Sequence, residues 1–275
     1  MLAVDTYPEG SPRVSEKVPD TNTKPLFTLR LLGGFELLVD GCEVHVPDAT
    51  QKIVAFLALQ TAAVRRGFVS GSLWPDHSED RASANLRTAL WRLPRAVEGL
   101  IVGGRPSLTL SPQASIDYRN ALRISLSVLV EPHERFVAPG SDFDALHNAL
   151  LPGWYDDWIV AERDRLQQIR LHVLEVLARN ALNQGDVENA IQLAESVVRA
   201  DPLRESGHIL LSRAHIANGN RATAVQQIQR LDALLQSELG ISASPEAWLV
   251  IDHLHVNPQP QKGRLPSTNR RHSAP

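Results

Sequence analysis

Cysteine is nearly missing from this sequence. Cys42 is the single one, so no internal disulfide can staple the fold. A reducing cytoplasm suits such a chain, and Cys42 reads as an incidental turn residue. Long apolar runs are missing too. None approaches the roughly 20 residues that cross a bilayer, so no membrane association is expected. The N-terminus has no basic patch followed by an apolar stretch, so no secretory signal is expected. Charge of one sign is also lacking, since 28 Lys and Arg against 31 Asp and Glu leave a formal net charge of −3. Affinity for nucleic acid must therefore come from a local patch.

Motifs of catalysis are equally scarce. There is no HExxH and no Cys/His ligand spacing, and Gly33-Gly34 lacks the third glycine and following helix of a dinucleotide loop. His133, Glu134, Asp142, Asp144 and His147 gather in sequence, but mainly in an irregular connector. Asp156 and Asp157 are adjacent, so on a helix they point apart, and they suit a helix start. No catalytic residue, cofactor or metal is expected, and the chain is not read as an enzyme.

What is present is enough for two domains in 275 residues, with 43% apolar content to fill their cores. Residues 1–25 are rich in Pro, Ser, Thr and charge and are expected to be a disordered tail. Phe27–Leu32 and Phe35–Val39 are strand-like, and Asp40-Gly41 signals a type I′ hairpin turn toward Val44–Val46. Helices are predicted over Ala49–Ala62 and Ser70–Trp74, with Pro75 stopping the second. A polar loop from Asp76 to Glu79 leads into a third helix, Asp80–Arg95, which Pro94 ends or kinks near Leu93. Leu100–Val102 and Leu108–Leu110 then read as a hairpin with Arg105 at its tip. Sheet, helix, short helix, helix, hairpin is the order of a winged helix-turn-helix.

The third helix organises this half. At about 100° per residue, Ala82, Leu86, Ala89, Leu90 and Leu93 fall on one side. Arg81, Asn85, Thr88, Arg92 and Arg95 recur on the other. Guanidinium groups with a carboxamide and a hydroxyl between them can grip phosphates and read base edges in a major groove. A solvated helix face usually mixes both signs of charge, whereas this stripe has no acid beyond Asp80 in the cap region. From Arg81 to Arg105 there are five arginines and one acid, Glu98. Trp91 flanks the stripe and is taken as a packing residue, with stacking on sugar or phosphate the alternative. Arg87 lies off the stripe and can reach either a phosphate or an acidic partner.

From Ile116 the texture becomes helical. Helices are predicted over Tyr118–Val130, Phe143–Leu150 and Asp156–Asn183, with Glu131–Asp142 a connector. Gly185 and Gly219 are 34 positions apart, and Ala190 and Ala224 keep the same spacing. A 34-residue period with small residues at helix crossings is the tetratricopeptide signature. Residues 257–275 are expected to be a disordered, basic tail. The predicted order is thus tail (1–25), winged helix (26–113), tetratricopeptide-like domain (114–256) and tail (257–275), an α+β domain followed by an all-α one.

The stretches RLLGGFELLVDG and VSGSLWPDHSEDRASANLRTALWRLPR resemble the OmpR-type winged helix of the antibiotic regulatory (SARP) group of bacterial regulators. ALLPGWYDDWIVAERDRLQQIRLHVLEVLA, with the repeat after it, resembles the bacterial transcriptional activation domain that follows in that group. The resemblance covers residues 27–250 and implies binding to double-stranded promoter DNA at tandem direct repeats. It further implies RNA polymerase recruitment and activation of secondary-metabolite genes, with a dimer on DNA left open. By position it makes Asp80–Arg95 the recognition helix and Arg105 the wing tip, facing the backbone or minor groove. It matches the Trp74–Glu79 loop to a polymerase-contacting segment, where Asp76, Glu79 and Asp80 suit a basic partner or a plain solvated loop. Pro94 stands where the family commonly has a basic residue. A phospho-acceptor receiver ahead of the winged helix is not expected, and no Walker A lysine motif occurs in the sequence. The rival reading is a protein-interaction adaptor whose winged helix leaves DNA alone.

Overall fold

The computed structural model describes residues 26–130, 148–252 and 254. Both expected tails, the connector Glu131–Asp142 and the cluster His133, Glu134, Asp142, Asp144 and His147 lie outside them. Most of the helix expected over Phe143–Leu150 does too. Its described end is not helical, because Leu150 pairs with Leu32 as an antiparallel bridge. Contacts divide the chain into two compact units. The first holds residues up to Leu29, Glu36–Leu57 and Ala62–Ser115, and the second holds Arg30–Phe35, Ala58–Thr61 and the chain from Ile116.

The first unit opens with strands β1 (Phe27–Arg30), β2 (Glu36–Val39) and β3 (Cys42–Glu43). Asp40 and Gly41 have φ of 51° and 83°, both positive as a type I′ turn requires, and the turn pairs Val39 with Cys42. With β7 (Ser115–Ile116) the sheet order is β3-β2-β1-β7. Next come α1 (Asp48–Leu59), β4 (Val64–Arg65), α2 (Arg66–Leu73) and α3 (Glu79–Trp91). The hairpin of β5 (Ile101–Val102) and β6 (Ser107–Leu110) pairs Ile101 with Leu110, and β4 adds to it by pairing Val64 with Leu108. Ile53, Phe56 and Leu57 of α1, Val69 and Leu73 of α2, and Ala82, Leu86 and Ala89 of α3 are buried. They form the apolar floor that keeps the polar side of α3 outward.

Three helix ends depart from expectation by several residues. Helix α1 stops at Leu59 rather than Ala62. Helix α2 starts at Arg66 rather than Ser70. Gly67 and Gly71 lower its propensity and mask it in the sequence, while Val69, Ser70 and Leu73 bury one face and hold it. Helix α3 ends at Trp91 with Arg92 as its C-cap, and Pro94 begins a 3₁₀ turn over Arg95–Val97. Proline has no N–H for the ladder and bars its predecessor from helical geometry. Arg95 therefore leaves the helix stripe.

The second unit is helical: α4 (Asp117–Val130), α5 (Asp157–Gln184), α6 (Val187–Ala200), α7 (Glu205–Ala217), α8 (Arg221–Leu239) and α9 (Pro245–Asp252). Gly185 and Gly219 both have φ of 79°, the left-handed conformation that ends one helix of each repeat. Ala190 and Ala224 are both fully buried, as close helix crossings require. Gly207 serves a third crossing, since a Cβ there would stand 2.7 Å from Val197 Cγ1. This is a winged helix followed by a tetratricopeptide-like helical domain.

A polar layer runs through these helices. Buried Glu175 accepts from Arg204 Nε at 2.5 Å and Ser206 Oγ at 2.6 Å. Burial alone would raise its pKa, but the bonds from Arg204 and Ser206 and the Arg204 charge outweigh this and hold it below the ordinary value. Buried His208 lies 3.0 Å from the Pro202 carbonyl through Nε2 and 2.8 Å from Gln227 Nε2 through Nδ1. The carbonyl can only accept and the carboxamide nitrogen only donate, so the ring is the neutral Nε2–H tautomer. Burial lowers its pKa.

Candidate nucleic-acid interface

Helix α3 begins after Ser78, whose carbonyl accepts from Ala82 N at 2.8 Å. Glu79 and Asp80 fill its first turn, favourable to the helix dipole. The buried Ala82, Leu86 and Ala89 then fix its rotation. Arg81, Arg87, Thr88 and Arg92 are exposed and Asn85 is half-buried. The Thr88 hydroxyl donates back to the Ala84 carbonyl at 3.0 Å, leaving its lone pairs outward. Arg95 is exposed on the following 3₁₀ turn. Among the described residues, none of Arg81, Arg87, Arg92, Arg95 and Arg105 forms an ion pair with an acid. Trp91 is 85% exposed, so its expected packing role is wrong: it is the last residue of α3, clear of the apolar floor.

Arg66 is a residue that sequence reasoning passed over. Its backbone N–H donates to the Pro106 carbonyl at 3.1 Å and its Nε to the Gly104 carbonyl at 3.2 Å. The first residue of α2 thus holds the hairpin tip from both sides of Arg105. Arg66, Ser83, Leu86, Arg87 and Arg105 line one cleft of about 510 Å³ between α3 and the hairpin. Its charged walls are all guanidinium, a setting suited to an oxyanion. The missed signal was the pairing of β4 with β6, which carries Arg66 to the hairpin across 38 positions.

Asp76 is exposed between α2 and α3, whereas Glu79 and Asp80 are exposed in the first turn of α3 rather than in the loop. None of the three forms an ion pair among the described residues.

The GWYDDW and ERDRL segments of the second unit make ring and backbone contacts. Trp154 stacks on Phe35 with ring centroids 6.2 Å apart and meets Trp158 edge-on at 6.3 Å. Glu162 accepts from Tyr118 Oη and from Arg165 Nη1, the latter at 2.6 Å. Arg163 donates to the Leu150 and Leu151 carbonyls. Among the described residues, no group of His, Cys, Asp and Glu could hold a metal ion, and no helix is long and apolar enough to cross a membrane.

A family model described as the bacterial transcriptional activator domain matches residues 140–252. The chain is 24% identical over 253 residues to the regulatory protein AfsR of Streptomyces coelicolor, a match covering 86% of this chain and 25% of that protein. It is 26% identical over 262 residues to AfsR of Streptomyces griseus, covering 86% and 26%. The chain thus spans about a quarter of the length of these curated relatives. Its fold is similar to that of EmbR from Mycobacterium tuberculosis, solved in complex with a low affinity phosphopeptide. The TM-score is 0.70 at 18% identity, over 84% of this chain and 65% of the other.

Proposed function

We propose that this chain is a SARP-type regulator that activates transcription by binding promoter DNA and recruiting RNA polymerase, a reading supported by the match of residues 140–252 to the bacterial transcriptional activator domain and by the similarity to AfsR. Direct repeats are the binding sites in this reading, the cytoplasm the setting and a secondary-metabolite gene cluster the target. The observation that carries DNA binding is the outward side of α3, where Arg81, Arg87 and Arg92 have no carboxylate partner among the described residues. In the major groove an Arg suits guanine O6 and N7, and Asn85 suits adenine N6 and N7. Arg105 supplies the backbone or minor-groove contact of the wing. Arg66 and Arg87 stand where a phosphate beside the wing would sit, and Arg95 adds charge beyond the helix end.

Glu79 and Asp80 bear on orientation. Two carboxylates keep phosphates away from the first turn of α3, so the duplex meets the helix from Arg81 onward. The same acids, with Asp76, offer a negative edge to a basic surface of polymerase. An adaptor that ignored DNA would have no use for an acid-free row of guanidinium groups.

Replacing Arg92 by Ala should weaken specific binding by about 1–3 kcal/mol. An unchanged footprint and affinity would remove Arg92 from the interface. The Asp76→Ala/Glu79→Ala variant should keep its footprint and lose in vitro transcription. Full transcription from that variant would dismiss the acidic edge.

A further inference from the structure

The second unit contains a cavity of about 270 Å³, lined in part by Asn148, Arg163, Asp164, Leu166, Gln167 and Arg170. Arg163, Gln167 and Arg170 recur at helical spacing along one side of α5, and Leu166 is the buried floor beside them. Arg170 is the informative member. Its Nε is sealed from solvent and has no hydrogen-bond partner among the described residues. Burial depresses its pKa with no neighbouring charge to offset that. Buried polar groups are almost always bonded, and a sealed guanidinium N–H left alone is costly. The two nearby charges do not relieve it. Asp164 is exposed and forms no ion pair with Arg170 among the described residues. Arg163 is itself a cation, with Nε and Nη2 given to the Leu150 and Leu151 carbonyls.

We propose that this cavity binds a small metabolite through an oxyanion, a carboxylate or phosphate seated on Arg170 and Arg163. The planar fork of Arg170 matches either group in bidentate fashion, and Arg163, with Nε and Nη2 held by carbonyls, adds its Nη1. The carboxamides of Asn148 and Gln167 supply further donors at the wall. The volume admits a molecule of a few heavy atoms and is too small for a peptide. Occupancy stabilises α5 against the segment at residues 148–150, and so supplies the helical domain with a ligand-dependent input.

Thermal unfolding of the full chain, with added inorganic phosphate or malonate at ionic strength matched by sodium chloride, tests this. One of the two anions should raise the midpoint saturably, as a ligand bound only by the folded state must. Which anion acts identifies the group recognised. Arg170→Met should abolish the rise while melting no lower than the parent in chloride alone, because it removes a cation that has no partner among the described residues. No saturable rise with either anion would overturn the site. So would a lower midpoint of Arg170→Met without anion, since that would show Arg170 already paired within the protein.

Discussion

Arg66 holds both carbonyls that flank Arg105, so its loss should act twice, removing a cation and releasing the hairpin tip. Arg66→Ala is expected to weaken binding to all duplexes about equally and to reduce the slope of log affinity against log salt by about 1. A change confined to one operator sequence would contradict a phosphate role. Glu175 is a different kind of residue, a buried acid whose removal strands the Arg204 guanidinium. Glu175→Ala should cost about 3–5 kcal/mol in urea unfolding. The pH dependence follows from the same layer. Glu175 has a depressed pKa in the fold, so its contribution is present above the unfolded value and lost as pH falls through the folded one. His208 is held neutral, so below about 6.5 the unfolded chain binds the extra proton and stability falls in the same direction. Urea midpoints should therefore hold from pH 8 to about 6.5 and decline from there toward pH 5, less so in His208→Gln. At this scale the stripe of Arg81, Asn85, Thr88 and Arg92 was legible, because helical periodicity sorts residues within a single element. Arg66 and Trp91 were not. One depends on a pairing 38 positions away, and the other on where the helix stops relative to its floor.

Helices carry the next set of outcomes. Gly207 and Gly71 are both helical glycines, yet their surroundings are opposite. A Cβ at Gly207 would stand 2.7 Å from Val197 Cγ1, while one at Gly71 meets nothing within 4 Å. Gly207→Ala should destabilise by about 1–3 kcal/mol through overpacking, and Gly71→Ala should stabilise by up to about 1 kcal/mol through propensity. Urea unfolding of the pair checks the sign of each. Equal effects would mean that the crossing at Gly207 is looser than the structure has it. The 34-residue period was readable because Gly185 and Gly219 must adopt positive φ, a demand that selects glycine openly. Helix α2 was hidden because glycine in its first half reads as a loop, and only the burial of Val69 and Leu73 overrides that. Pro94 was legible as a terminator, but its effect on Arg95 emerges only once the 3₁₀ turn is seen.

The whole molecule is less simply partitioned than its order of elements suggests. Arg30–Phe35 and Ala58–Thr61 group with the chain from Ile116, not with their neighbours in sequence. The cause is specific. Asp117 accepts from the Leu31 and Leu32 N–H groups at 2.9–3.0 Å, and Arg119 donates to the Ala58 and Gln60 carbonyls at 2.8 and 2.6 Å. No periodicity in the sequence announces such side-chain to backbone ties. A fragment of residues 26–130 should therefore unfold at higher urea than one of residues 26–116. The longer fragment should also keep DNA binding while losing activation in vitro.

The central claim is that the free arginine side of α3 reads duplex sequence. The most direct measurement is selection of bound duplexes from a random-sequence pool, by the full chain and by its Arg81→Ala/Asn85→Ala/Arg92→Ala variant. The expected result is a directly repeated motif enriched by the parent and absent from the variant pool. Enrichment of the same motif by both proteins, or of none by the parent, would contradict it.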